Sequence, residues 1–391
     1  MTNRMTSRER VNAALNLQQP DRVPIDCGTI ASSISTISYA GLAKLLGFPQ
    51  ELNRSDMNDP VNPDHDLTPS EEILNLLGVD TRSVSPDQPI DSQSLSKTQL
   101  DDYTYRDEWG VVWERPRNEV GPYIYRQGPF QKSGITIADI ERYAWPDPLE
   151  PHRVGGLKEK AAKLHNETDY AIVISVGHSP IAPCQRLRGF GEFMEDLVLN
   201  PKLAEALLEK VTSVIVESTN AILKEAGPYV DVVNFSDDLG FQDRGYFRKE
   251  MFQKQIKPFM AKCVEAIHKH TDGKAVIHSD GSIFDLIPDL IDIGTDAINP
   301  VQTTAWNMSP DKLKSEFGKD LAFWGAIDTQ QALPFGTSED VRKDVRNKID
   351  ILGKGGGYVL TSCHTIRSEV PAENIKAMFE TAQEYGRYDA L

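Results

Sequence analysis

The chain of 391 residues has no window near eighteen uninterrupted apolar residues, so no membrane span is expected. Its four cysteines, Cys27, Cys184, Cys263 and Cys363, show no CxxC spacing. That argues against a disulfide framework and a structural zinc knuckle, and it suits a reducing compartment. The stretch up to Arg10 lacks the apolar core of a secretory signal, so a cytoplasmic location is the expectation. Positive charge is short as well: 42 Lys and Arg stand against 58 Asp and Glu, a net −16. Nucleic acid and other polyanions are therefore poor partners. There is no low-complexity tract, and hydrophobic residues at 39% with charged residues at 26% describe an ordinary globular chain.

What is present is a strand–helix rhythm. The stretch Lys274 to Ser282 (KAVIHSDGS) reads as a short apolar strand running into polar groups. Side chains two apart on a strand share a face, so His278 and Asp280 project together, and Gly281 permits a tight turn into a following helix. Seven other segments read as strands, at about 22–28, 79–85, 171–177, 230–236, 296–302, 321–327 and 357–363, with helical periodicity in most gaps. Near the start, Thr6 or Ser7 caps a short helix whose Val11, Ala14 and Leu15 form one stripe. Eight apolar strands alternating with helices predict a closed (β/α)₈ TIM barrel. The doubly wound alternative wants a glycine-rich phosphate loop after the first strand, which Cys27 to Ser32 does not provide. Residues 86–168 break the rhythm, and Trp109 to Trp113 with Tyr123 to Tyr125, separated by Asn118 and Gly121, predict an inserted β-hairpin between strands 2 and 3. The whole chain, 1–391, reads as one domain carrying that insertion.

In a barrel, function gathers at the C-terminal strand ends. Those ends hold Asp26, His178, Asp237, Asp238, His278, Asp280, Asn299, Gln302, Asp328, Gln330, Cys363, His364 and Arg367, with Arg186, Arg188 and Arg244 as the other cations. Imidazole with carboxylate suits a divalent transition metal, zinc first, and His278, Asp280 and His364 can supply three ligands. Asp238 or Cys363 is a candidate fourth, although Cys363 reads better as packed. Strand-end His and Asp equally serve to satisfy backbone groups or to orient a substrate. Asp237 and Asp238 are adjacent like charges, suited to general acid–base work if both face one cavity. Trp324 and Phe323 alternate, so one of them lines the mouth and the other packs on a helix, unless both are core.

These residues make the chain resemble the uroporphyrinogen decarboxylase superfamily. The matching segments are Arg8 to Leu15, Pro20 to Pro24, Asp237 to Gly240, His278 to Gly281, Asn299 to Gln302, Trp324 to Asp328, and His364 with Val370 to Asn374. The resemblance implies a (β/α)₈ barrel and two chemistries. The true decarboxylases use an arginine-rich segment after the first strand and no metal; here Asp26 to Ser33 contains no arginine. The corrinoid-dependent methyltransferase branch has a His-x-Cys zinc pattern on the fifth strand and a further Cys on the last. This chain has His278-Ser279-Asp280 there and His364 beside Cys363 at the end. A nitrogen and oxygen donor set suits polarising an ether oxygen, where a thiolate-rich set suits methylating a thiol.

The expectation is a methyltransferase of the O-demethylase type, moving a methyl group from a small O-methylated donor to a corrinoid on a separate protein. Zinc would sit on His278, Asp280 and His364, with Asp237, Asp238 and Asp328 as catalytic groups. Asn299, Gln302, Trp324, Gln330 and Arg367 would bind substrate. The alternative is a metal-free decarboxylase of the same superfamily, anchoring a smaller carboxylate on Arg367 or Arg188. A homodimer is compatible with the family, and the loops 29–40 and 86–130 would set specificity.

Overall fold

The computed structural model describes residues 4–57, 64–86, 97–115 and 123–388. Seven strands form one parallel sheet in chain order: β1 (Thr81–Val84), β2 (Ala171–His178), β3 (Val232–Ser236), β4 (Lys274–His278), β5 (Ala297–Asn299), β6 (Ala322–Ile327) and β7 (Tyr358–Ser362). The eighth stave is the irregular segment at 24–26. Leu360 N–H donates to Pro24 O and Asp26 N–H to Leu360 O, each at 2.9 Å, while Asp80 N–H donates to Ile25 O at 2.8 Å. Hydrogen bonds on both flanks place this segment between the last and first strands, so the sheet closes into a barrel.

Alternation along the strands sorts the two cores. Ala171, Val173, Val232, Val276, Ala297, Ala322, Trp324 and Val359 fill the barrel interior together with Val11, Ala14 and Leu15 of the N-terminal helix Ser7–Leu15. That helix starts on a capping box between Thr6 and Glu9, and its apolar stripe plugs the barrel floor. The opposite parity, Val233, Phe235, Ile277 and Ile298 among others, packs outward on helices such as Pro201–Ala226, Lys257–His268 and Ala372–Tyr385. Below the plug, Asp80 is fully buried and accepts from Arg10, Arg22, Ser7 Oγ and Ile25 N–H.

Between β1 and β2 the described residues form a four-stranded antiparallel sheet, Thr98–Gln99, Thr104–Arg106, Val112–Glu114 and Ile124–Gln127, where two strands were expected. Trp113 lies opposite Tyr125 in this sheet. The turn expected at Asn118 and Gly121 falls outside the described residues.

β2 departs from strict alternation. Its register against β3 shifts between Ser175 and His178, where Gly177 takes φ +87°. Such a bulge re-aims the side chains that follow it. His178 therefore stands beside Ser236, and Ser236 in turn beside His278. At the barrel mouth the inner ring runs His178, Ser236, His278, Asn299 across four neighbouring strands.

Candidate active site

The last residue of β4 and the turn after it bring the predicted ligands together. Ligand atoms of His278, Asp280 and His364 all lie within 4.8 Å of one another. His278 Nε2 is 3.7 Å and His364 Nε2 3.9 Å from Asp280 Oδ2. A tetrahedral zinc ion needs donors about 3.4 Å apart, so each imidazole–carboxylate pair closes by a few tenths of an ångström.

Asn299 orients the first imidazole. Its amide N–H donates to Trp324 O at 3.2 Å, which leaves Oδ1 to accept from His278 Nδ1–H at 2.5 Å. The Nε2 lone pair of His278 then faces Asp280, the tautomer a metal requires. His364 is set differently: its Nδ1 accepts the Thr365 N–H at 2.8 Å, so the neutral ring carries its proton on Nε2. It joins an ion once that proton leaves and the Thr365 contact opens. Burial raises the Asp280 carboxyl above its usual range while the two imidazoles pull it down, and burial lowers the His364 imidazole. The donor set thus fits a divalent cation on His278, Asp280 and His364.

The turn carrying Asp280 is pinned from two sides. Asp280 N–H donates to Asp238 Oδ1 at 3.0 Å, and Gly281 N–H donates to Gln302 Oε1 at 2.8 Å. Gly281 sits at φ +86°, and a Cβ there would stand 2.2 Å from Gly240 O, so glycine is required. Gln302 is buried and paired with Gln242, which makes it a support for the turn. Asp238 is exposed beside the cluster but outside the set of mutually close ligand atoms.

Asp237 is fully buried and accepts from Ser179 Oγ, from Ile181 N–H at 2.8 Å and from Ala182 N–H at 2.6 Å, capping the helix Ile181–Arg188. Burial pushes its carboxyl up to about 7 against those three donors. Asp328 accepts the N–H groups of Gln330, Gln331 and Ala332 and closes the turn after β6.

Several expected substrate contacts fall elsewhere. Trp324 is fully buried, with its indole N–H donating to Asp26 Oδ2 at 3.1 Å; alternation turns it into the barrel core, not the mouth. Gln330 is exposed and accepts from Thr304 Oγ1. Arg367 is ion-paired with Asp66 at 3.0 Å, and Arg188 with Asp196 at 2.7 Å, so neither guanidinium is a free anion anchor. Cys363 is buried against Val301 O, and burial holds its thiol up at about 12.

Three groups at the mouth had no assigned role in the sequence reading. His178 takes its place through the bulge. Arg186 lies over the Trp113 ring at 5.2 Å. Tyr246 packs edge-on against Phe241 at 4.5 Å, and burial with the nearby charges of Asp238 and Asp280 pushes its hydroxyl up to about 12. The run from Phe241 to Tyr246 has neither strand nor helix periodicity, so no pattern flagged the tyrosine.

With this geometry in hand, the likeness to known proteins is informative. The family model described as uroporphyrinogen decarboxylase (URO-D) matches residues 122–385. The uroporphyrinogen decarboxylase of Mannheimia succiniciproducens is 23% identical over 205 residues, 51% of this chain and 53% of that protein. The one from Flavobacterium johnsoniae is 28% identical over 273 residues, 66% of this chain and 73% of that protein. The chain thus spans about half the length of the first of these relatives. Among solved structures, a methyltransferase from Methanosarcina mazei superposes with a TM-score of 0.64 at 19% identity, covering 97% of this chain and 99% of that one. At that identity the likeness speaks for the fold alone.

Proposed function

The chain belongs to the uroporphyrinogen decarboxylase family, and from that premise we propose that it is a methyltransferase moving a methyl group from a small O-methylated substrate to a corrinoid on a separate protein. The reading rests on the cluster His278, Asp280 and His364, with the His278 lone pair aimed by Asn299. A zinc ion held there would supply Lewis-acid chemistry, polarising the ether oxygen and stabilising the departing alkoxide. His278, Asp280 and His364 would hold it, and their nitrogen and oxygen donors suit an oxygen-centred substrate. Gln302 and Asp238 keep the Asp280 turn in place through its backbone N–H groups. Asp238 and the Tyr246 hydroxyl would move a proton to the released oxygen, a role supported by the action of the Asp238 and Asp280 charges on that hydroxyl. Asp237 is less suited, because its oxygens are engaged by the helix it caps.

Decarboxylation is the activity in the names of the curated relatives, and two observations weigh against it here. The segment after the first stave holds no arginine, and its Asp26 is fully buried among Thr29, Ser32, Thr81 and Trp324. The expected anchors Arg367 and Arg188 are already paired. Metal analysis of the purified chain, with a methyl-transfer assay against a Co(I) corrinoid protein, tests the reading. About one zinc per chain and methyl transfer are expected. A zinc-free chain that releases carbon dioxide from a carboxylated substrate would establish the decarboxylase instead.

A further inference from the structure

Arg186 differs from the other arginines at the mouth. It lies on the helix Ile181–Arg188 immediately after β2, half-buried, with its guanidinium stacked on Trp113 of the antiparallel sheet. It makes no hydrogen bond and no ion pair among the described residues. A guanidinium carries five N–H donors, and those of Arg186 are open to solvent, so a ligand at the mouth can reach them. The nearby carboxylates do not take them up. Asp107 accepts from Val111 N–H and from Trp113 Nε1–H, and Asp237 is filled by Ser179, Ile181 and Ala182.

The strand before this helix ends on a second group without a partner. His178 Nε2 is buried with no partner, while Nδ1 is 2.8 Å from Ser236 Oγ. His178 ends β2 and Arg186 lies on the helix that follows it, and the charge of Arg186 acts on the ring. Burial and that charge hold the imidazole down near 3, which keeps it neutral. An anion at Nε2 selects the tautomer in which the Ser236 hydroxyl donates to Nδ1 and Nε2 carries the proton. His178 and His278 occupy the same level two strands apart, about 10 Å between backbones. A small molecule can therefore reach both the orphan donors and the ligand cluster.

We propose that Arg186, supported by His178, is an anion subsite that holds one carboxylate of the methyl donor while its methoxy group lies at the His278–Asp280–His364 cluster. The proposal deepens the methyl-transfer reading and rests on it. A planar carboxylate matches the guanidinium fork, which two N–H groups can grip at once. The guanidinium lies over the Trp113 ring, so the inserted sheet would contribute to substrate choice.

Calorimetric titration of the full chain as purified, with zinc content measured on the same sample, tests this. The probes are 4-methoxybenzoate against 4-methoxybenzamide, and methoxyacetate against methoxyacetamide. Wild type should prefer at least one carboxylate to its amide by 30-fold or more. R186Q should abolish that preference, and R186K should retain part of it. Equal binding of acid and amide by wild type, no binding of any probe, or an undiminished preference in R186Q would each overturn the subsite. The wild-type comparison needs no variant, so a misfolded R186Q does not blunt the test. A carboxylate preference lost in R186Q from a zinc-free protein keeps the subsite and removes the methyl-transfer reading. Zinc with methyl transfer from neutral ethers but no carboxylate preference does the reverse.

Discussion

At the scale of single residues, the proposed site depends on a proton's position. His278 faces the cluster with a lone pair because Asn299 Oδ1 accepts the Nδ1–H hydrogen bond, and Asn299 can do so because Trp324 O fixes its amide. Asn299→Ala removes the acceptor and frees the tautomer. Zinc affinity, measured by competition with a chromophoric chelator, should fall by roughly 10–100-fold, the usual cost of losing such an outer partner. An unchanged affinity would mean that something else orients the ring. Asp237 makes a second residue-level case. Its carboxyl is held at about 7 by burial, above its value in the unfolded chain. A raised acid pKa means the native state binds the proton more tightly, so this group's stabilising contribution is full at low pH and is lost as pH climbs towards 7. Asp237→Asn does not titrate. Its stability relative to wild type should therefore rise between pH 4 and pH 7, by up to about 4 kcal/mol, in denaturant titrations at the two pH values. A difference independent of pH would place the Asp237 pKa near its unfolded value.

At the scale of elements, the residues that look like a family signature divide by end of the barrel. Arg10, Asp21 and Arg22 near the start belong to the floor, where Arg10 and Arg22 both grip Asp80 just before β1. Their work is to fasten the plug helix and the first stave to the sheet. Asp80→Ala leaves two guanidinium groups without their buried partner, a type of loss that costs about 3–5 kcal/mol. Denaturant unfolding should show that drop with zinc binding unchanged, since the site is at the other end. Loss of zinc at full stability would contradict this division. Elements also mark where reading the sequence succeeds. Val232, Asn234 and Ser236 alternate regularly, and so do Val276 and His278, so parity alone aims His278 inward. Parity fails at Gly177, because a bulge costs one residue of register and carries no side-chain pattern of its own. That is why His178 was legible as a polar strand end but not as a partner of Ser236. The antiparallel sheet was only half legible, since strands as short as Thr98–Gln99 offer too few positions for alternation.

At the scale of the whole molecule, the barrel was legible because a closed parallel sheet demands apolar strands at regular spacing, and eight such segments are present. The meeting of His364 with His278 is a consequence of closure, since β7 and β4 are not neighbours in the sheet. A bound ion would tie those two strands across the mouth. Ligand binding to the folded state alone stabilises it by RT ln(1 + [L]/Kd), about 2.7 kcal/mol when free zinc is 100 times Kd. Zinc should accordingly raise the melting temperature of the chelator-stripped protein. His364→Ala should remove that rise while leaving the zinc-free melting temperature nearly unchanged, because His364 is 39% exposed and sits at the rim, outside both cores. The net charge of −16 supplies a competing explanation, since scattered carboxylates attract any divalent cation. Calcium separates the two. Oxygen-rich surface sites respond to calcium as they do to zinc, whereas a pair of imidazoles with one carboxylate does not. A rise that calcium reproduces, or that survives His364→Ala, would locate the ion away from the barrel mouth and remove the observation on which the methyl-transfer reading stands.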